Sequence, residues 1–185
     1  MTKLLKAPLE ENVIESLQAG DFCFITGTIY TARDAAHKRM YEAMLTGNNI
    51  PIDLKNNIIY YLGPTPAREG QIIGSAGPTT SGRMDAYTPR LLDEGLKGMI
   101  GKGLRSKAVV DSMIKNGAVY FAAIGGAGAL LAECIKEAEV VAFDDLGTEA
   151  LRRLRVENFP VTVIIDRNGN DLYSIGRKKY QTLTI

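Results

Sequence analysis

Residues 96–143, LKGMIGKGLRSKAVVDSMIKNGAVYFAAIGGAGALLAECIKEAEVVAF, decide the fold. They read as an apolar strand at 98–100, an amphipathic helix at 106–115, a strand at 118–124, a helix at 128–136 and a strand at 140–143. Strands that alternate with helices are joined by crossovers, so they run parallel and their sheet is covered on both faces.

Working outward toward the N-terminus, residues 22–29 are β-branched and aromatic and predict a buried strand. Residues 31–46 carry long straight side chains and end at Gly47, which predicts a helix. Residues 57–62 form a further strand, stopped by Gly63-Pro64-Thr65-Pro66 because proline cannot donate to a ladder, and residues 72–76 read as a short strand. Leu9, Val13, Ile14 and Leu17 recur at helical spacing before Gly20. Toward the C-terminus, residues 148–156 are predicted helical, and residues 161–165, Asn168-Gly169 and residues 171–173 predict a hairpin. There is no internal repeat or low-complexity linker. The expectation is one compact α/β domain with a mixed sheet, spanning residues 1–185, with glycine-rich turns concentrated between Gly63 and Gly103.

Composition narrows the functional classes. Of 185 residues, 45% are hydrophobic and 23% charged, too apolar a chain for intrinsic disorder. With 22 Lys and Arg against 21 Asp and Glu, a net charge of +1 gives no general attraction to nucleic acid or an anionic membrane, so any anion site is local. The apolar stretch at 118–132 is broken by glycines and is shorter than the roughly 20 residues of a membrane span. No secretory core is legible at residues 1–10, and the chain is expected to be cytoplasmic. Cys23 and Cys134 sit among apolar residues, as reduced thiols do. Two cysteines exclude a disulfide framework, a zinc knuckle and a self-contained iron–sulfur cluster.

Four stretches carry candidate chemistry. Gly77-Pro78-Thr79-Thr80-Ser81-Gly82-Arg83-Met84-Asp85 sets three hydroxyls and an arginine between glycines. A helix expected to start near Arg83 would turn its positive end toward an anion, although Thr80 or Ser81 serve equally well as helix caps. Gly27-Thr28-Ile29-Tyr30-Thr31-Ala32-Arg33-Asp34-Ala35-Ala36-His37 puts Arg33 in the first turn of a helix, where a cation opposes the dipole unless an acid is near. His37, one turn further on, is expected as a capping or surface residue. Gly101-Lys102-Gly103 is not a P-loop, because Leu96 and Gly103 replace the required glycine and hydroxyl. Gly125-Gly126-Ala127-Gly128-Ala129 is not a dinucleotide fingerprint, because Leu131 stands at its third glycine. On the residues alone, these turns also suit a stand-alone anion- or nucleotide-binding module.

Taken in order, these four motifs resemble the β subunit of class I fumarate hydratases and the related L-tartrate dehydratase β subunits, over roughly residues 21–173. The resemblance implies a swivelling β/β/α domain that is half of a hydro-lyase. Its partner, an α subunit, would carry a [4Fe–4S] cluster through three cysteines, with one iron open to substrate, in an assembly of two α and two β chains. A dicarboxylate, fumarate and malate or else tartrate, is the implied substrate. Arg33 and Arg83 would bind its carboxylates, Lys102 would add a third cation, and Thr79 would remove the proton from C3. A neutral threonine is a poor base, so this last role needs help from Arg83, Lys102 or a helix terminus.

Overall fold

In a computed structural model, residues 2–181 are described. The elements in order are β1 (Thr2–Ala7), α1 (Glu11–Ser16), β2 (Phe22–Thr31), α2 (Asp34–Leu45), β3 (Ile58–Tyr60), α3 (Thr88–Asp93), β4 (Gly98–Gly101), α4 (Lys107–Asn116), β5 (Val119–Ala122), α5 (Gly128–Glu133), β6 (Ile135–Ala142), β7 (Leu151–Ile165) and α6 (Leu172–Tyr180). Single 3-10 turns occupy Ser81–Met84 and Asp144–Glu149. No helix among the described residues is long and apolar enough to cross a membrane.

One seven-stranded sheet runs β1-β2-β3-β4-β5-β7-β6, with a further pairing between β2 and β7. Strands β1 to β5 are mutually parallel, as the strand and helix alternation requires. Strand β7 is antiparallel to β2, β5 and β6, so the sheet is mixed and the ring β2-β3-β4-β5-β7 closes on itself. This is the single α/β domain expected from the sequence.

Side chains alternate between two apolar clusters along these strands. Ile58, Tyr60 and Leu62 join Ile100, Val119 and Phe121 in a cluster fed by every strand of the ring. Ile59, Tyr61, Met99, Ala118 and Tyr120 point the other way and meet Met40, Leu91 and Val109 of helices α2 to α4. The period of two is what a strand buried on both faces needs.

Four local expectations are corrected. Residues 148–156, read as a helix, form a 3-10 turn and the start of β7. The spacing of Leu151 and Leu154 mimics a helix, yet Leu154 and Val156 face inward while Arg153 and Arg155 pair across the sheet with Glu139 and Glu137. The helix read at 128–136 stops at Glu133, and the strand read at 140–143 begins already at Ile135; this β6 pairs antiparallel with β7 instead of joining the parallel strands. Residues 72–76 form no strand and lie as a loop tied by the Thr65 N–H to the Ser75 carbonyl (3.3 Å). The hairpin at 161–173 survives only as an antiparallel bridge between Ile165 and Asp171, after which Asp171 caps α6 by accepting the Tyr173 N–H (3.0 Å). Residues 172–180 therefore form a helix in place of the second hairpin strand, and residues 182–185 lie outside the described residues. Strand β1 was not foreseen; it lies parallel along β2.

Phe159, fully buried in β7 opposite Ile25, stacks edge-on against Tyr60 with ring centroids 5.2 Å apart. Phe159→Ala is expected to cost about 3–5 kcal/mol through lost burial and a cavity. At about 2–4 °C per kcal/mol, thermal melting should fall by roughly 6–20 °C. A melting temperature within a degree of the parent would contradict this placement of β7.

Candidate active site

Every motif singled out in the sequence comes to one end of the sheet. Arg33 follows β2, Gly63 follows β3, Lys102 follows β4 and Gly125-Gly126 follow β5, all at the carboxyl ends of parallel strands. Parallel strands, in open sheets and closed barrels alike, present ligand sites at that end, where loops from successive strands converge.

Between the ends of β3 and β4 a third segment inserts. The Thr79 N–H donates to the Tyr61 carbonyl (2.8 Å), the Lys102 N–H donates to the Thr79 carbonyl (3.3 Å), and the Ser81 N–H donates to the Lys102 carbonyl (2.8 Å). Thr80 and Lys102 form a parallel bridge. Residues 79–81 thus act as a short strand that fixes Thr79 beside Lys102. Gly101 is required there, because a Cβ would fall 2.0 Å from Ser81 Oγ and 2.9 Å from the Tyr61 ring.

Arg83 stands in the 3-10 turn that follows, half-exposed, with Nη2 2.7 Å from Asp34 Oδ2. The same oxygen lies 3.7 Å from Arg33 Nη2, and Glu149 Oε1 lies 3.2 Å from that nitrogen. Asp34 therefore joins the two arginines, and Glu149 holds Arg33 from the far side. Glu149 Oε2 also accepts the Ala35 N–H (3.2 Å), supplying the α2 N-terminus with the cap that the Arg33 side chain cannot give. The acid that a cation at this helix start demands is thus present twice. Arg33 lies flat against the chain at Gly63, where a Cβ would meet its Nη1 at 2.6 Å.

Two expectations about this region are corrected. No helix starts at Arg83; the chain makes one 3-10 turn there, and neither Thr80 nor Ser81 caps it, since Ser81 Oγ bonds the Tyr120 hydroxyl instead (2.9 Å). His37 is neither exposed nor capping. It is fully buried, its ring meets Tyr61 edge-on at 5.3 Å between centroids, and its Nδ1 donates to the Arg33 carbonyl (2.9 Å).

Arg33, Arg83, Lys102 and Thr79 are therefore brought to one rim. Of the three cations, Lys102 is exposed and makes no ion pair among the described residues. The arginines are held by Asp34 and Glu149, which leaves the cluster one positive charge in excess. Chemically the cluster has what an anion site needs: its guanidinium forks are already oriented, and a carboxylate placed there would compete with the internal ones. Glu149 escaped the sequence reading because it lies 114 positions from Ala35 and inside a misread segment. Arg105 escaped it as well, although it lies just beyond Gly101-Lys102-Gly103.

The cysteines do not suit this chain to hold an iron–sulfur cluster. Cys23 is buried in β2, where desolvation pushes its thiol up to about 11. The Cys134 thiol, at the end of α5 against the Leu130 and Asn158 carbonyls, is also raised by burial. Among the described residues no three His, Cys, Asp or Glu side chains are grouped to hold a metal ion.

A compact mixed-sheet α/β domain with paired arginines and a lysine gathered at the strand ends is the class that fold and site define. Residues 3–176 match the family model described as the fumarase C-terminus, and the chain belongs to that family. It is 36% identical over 182 residues to a putative L(+)-tartrate dehydratase subunit beta of Methanocaldococcus jannaschii, covering 95% of this chain and 93% of that protein. It is 40% identical over 174 residues to fumarate hydratase 2 of Leishmania major, covering 92% of this chain and 31% of that enzyme. With the aerobic class I fumarate hydratase of Escherichia coli it shares 42% identity over 151 residues, 80% of this chain and 28% of the enzyme. The chain thus spans under a third of the fumarate hydratases it matches.

Burial, reinforced by the charge of Arg105, pushes the His37 pKa down from 6.5 to about 4, against the Arg33 carbonyl and Asp34, which favour the charged ring. The unfolded chain takes up this proton near pH 6.5 while the folded one refuses it until about pH 4. Stability is therefore full above pH 6.5 and falls as the pH drops toward 4, by about 3 kcal/mol from this group. Urea unfolding at pH 7 and pH 4.5 should show a smaller loss for His37→Asn than for the parent. Equal losses would mean that the ring is not held neutral.

Proposed function

We propose that this chain is the β subunit of a hydro-lyase that interconverts fumarate and (S)-malate, working with a separate α subunit that carries a [4Fe–4S] cluster. The observation that carries the reading is the convergence of Arg33, Arg83, Lys102 and Thr79 at the strand ends of a fumarase C-terminus domain. The name of one relative, a putative L(+)-tartrate dehydratase subunit beta, supports a partner subunit. The cluster would be the partner's, supplying a Lewis acid toward the substrate hydroxyl; a reducing compartment such as the cytoplasm suits that pairing.

In this reading Arg33 and Arg83 exchange their internal carboxylates for those of the substrate. The forks are already in place, so the exchange needs no new orientation of the guanidinium groups. Lys102 lies on the strand end next to Thr79 and opposes the negative charge that builds on a carboxylate when the neighbouring carbon loses its proton. Thr79 takes that proton as the alkoxide, its own hydroxyl proton having first left to solvent, a loss that nearby cations favour. L-Tartrate is the second reading of the substrate. What favours it is the relative matched end to end, which is named as a tartrate dehydratase subunit.

The test is an anaerobic assay of the purified chain, alone and co-expressed with an iron–sulfur α subunit, with malate and tartrate in parallel. Turnover is expected only from the pair. Arg83→Ala in the pair should lower kcat/KM about 100-fold, the loss of one charge-assisted carboxylate contact in a low-dielectric site. A stable pair with an intact cluster and no turnover would overturn the reading, as would an Arg83→Ala enzyme within a few-fold of the parent. Tight malate or nucleotide binding by the chain alone would favour a stand-alone binding module.

A further inference from the structure

We propose that Arg105 is a positioning residue, a buried guanidinium that locks the 79–85 segment and the Lys102-Gly103 turn to the same two tyrosines. The inference rests on the proposed reading of Thr79, Arg83 and Lys102 as the groups that meet a dicarboxylate.

The Arg105 side chain has no solvent exposure. A cation so buried persists only where its donors are met, and these are met by three different pieces of the molecule. Nε donates to Asp85 Oδ1 (2.7 Å), Nη2 to Thr88 Oγ1 (2.9 Å) and Nη1 to the Tyr61 hydroxyl (3.3 Å). The guanidinium carbon lies 5.3 Å from the Tyr61 ring centroid and 5.2 Å from that of Tyr120, within cation–π range of both.

Each of these partners also grips the rim of the site. The Tyr61 carbonyl accepts the Thr79 N–H. The Tyr120 hydroxyl donates to the Gly103 carbonyl (2.9 Å) and bonds Ser81 Oγ (2.9 Å). Asp85 follows the turn that carries Arg83, and its second oxygen accepts the Ser106 N–H (2.6 Å) at the start of α4. Thr88 Oγ1 in turn donates to the Met84 carbonyl (2.9 Å). Thr79, Arg83 and Lys102 thus stand on backbone whose side-chain anchors lead back to Arg105. An apolar side chain of similar volume commonly serves stability as well as a buried ion pair does. What the planar fork adds is direction: three donors at fixed angles and two faces for stacking, which a lysine cannot reproduce.

The test uses the chain in complex with its iron–sulfur partner. Arg105→Met combined with Asp85→Asn removes both charges together and keeps an oxygen for the Ser106 N–H. Without substrate, amide hydrogen exchange at Thr79, Ser81 and Lys102 is expected to accelerate about tenfold or more while β2 and β7 amides hold theirs. With malate, kcat should fall about 10- to 100-fold, the usual cost of a small misplacement of reacting groups, and Arg105→Lys should not rescue it. Tyr120→Phe, which deletes only the hydroxyl joining Ser81 and Gly103, should move both readouts the same way by a smaller step, and it decides the matter if the double variant does not fold. Parental exchange at the three amides, parental kcat, or rescue by lysine would overturn the positioning role. An inactive parent complex would overturn the functional reading alone, since the exchange comparison still decides on Arg105.

Discussion

The register of β7 against β2 is the constraint on which the rest of this molecule depends. Nine paired positions, from Phe22 with Thr162 to Thr31 with Arg152, run antiparallel along β2, interrupted by a single shift between Ile25 and Gly27. The other side of β7 carries β5 at one end and β6 at the other, so this fifteen-residue strand closes the ring. Because Thr31 faces Arg152, the residues just before β7 come to lie over those just after β2. That register brings Glu149 to Arg33 and to the first turn of α2. A slip of one residue would turn Leu154 and Val156 outward and carry Glu149 away from its arginine, so core burial and site geometry are specified together.

A second constraint follows from the first. With the ring closed, the parallel strands β2 to β5 end at the same side, and their loops share a small space. The wedge of residues 79–81 fills it by continuing the hydrogen-bonding of β3 and β4 with parallel partners of its own. Backbone bonds are stiff and directional, so Thr79 and Lys102 are held by main chain rather than by long side chains. Arg33 and Arg83 are held differently, through side-chain ion pairs with Asp34 and Glu149. The rim therefore joins a pair held by main chain to a pair held by side-chain ion pairs, an arrangement that suits the dianion of the proposed function.

Beneath the rim lies a polar and aromatic layer of an unusual kind. His37, Tyr61, Arg105 and Tyr120 stack in sequence from the Arg33 carbonyl to the Gly103 carbonyl. Their titrating groups are pushed toward the uncharged ring in His37 and the uncharged phenol in Tyr120, both chiefly by burial. The layer thus holds one permanent cation, Arg105, balanced by Asp85. Keeping its neighbours neutral avoids a second buried charge that nothing nearby would offset.

The sequence by itself determined the parallel strands β2 to β5 and their alternation with helices, because apolar period and glycine punctuation are local properties of the chain, but it missed β1 and counted β6 among the parallel strands. It also offered Arg33, Thr79, Arg83 and Lys102 as candidates, singled out by the family resemblance of the motifs that carry them, and the structure gathers them at one rim. Local pattern misjudged β7, where Leu151 and Leu154 carry a three-residue spacing that suits either a helix or a strand beside a register shift. Only the tertiary structure decided which acid meets Arg33, that His37 is buried rather than exposed, and that Arg105 rather than Lys102 goes beneath the surface. Those outcomes depend on pairings between segments far apart in the chain. Register and burial of that kind are set when the ring closes, and no local window of sequence contains both partners.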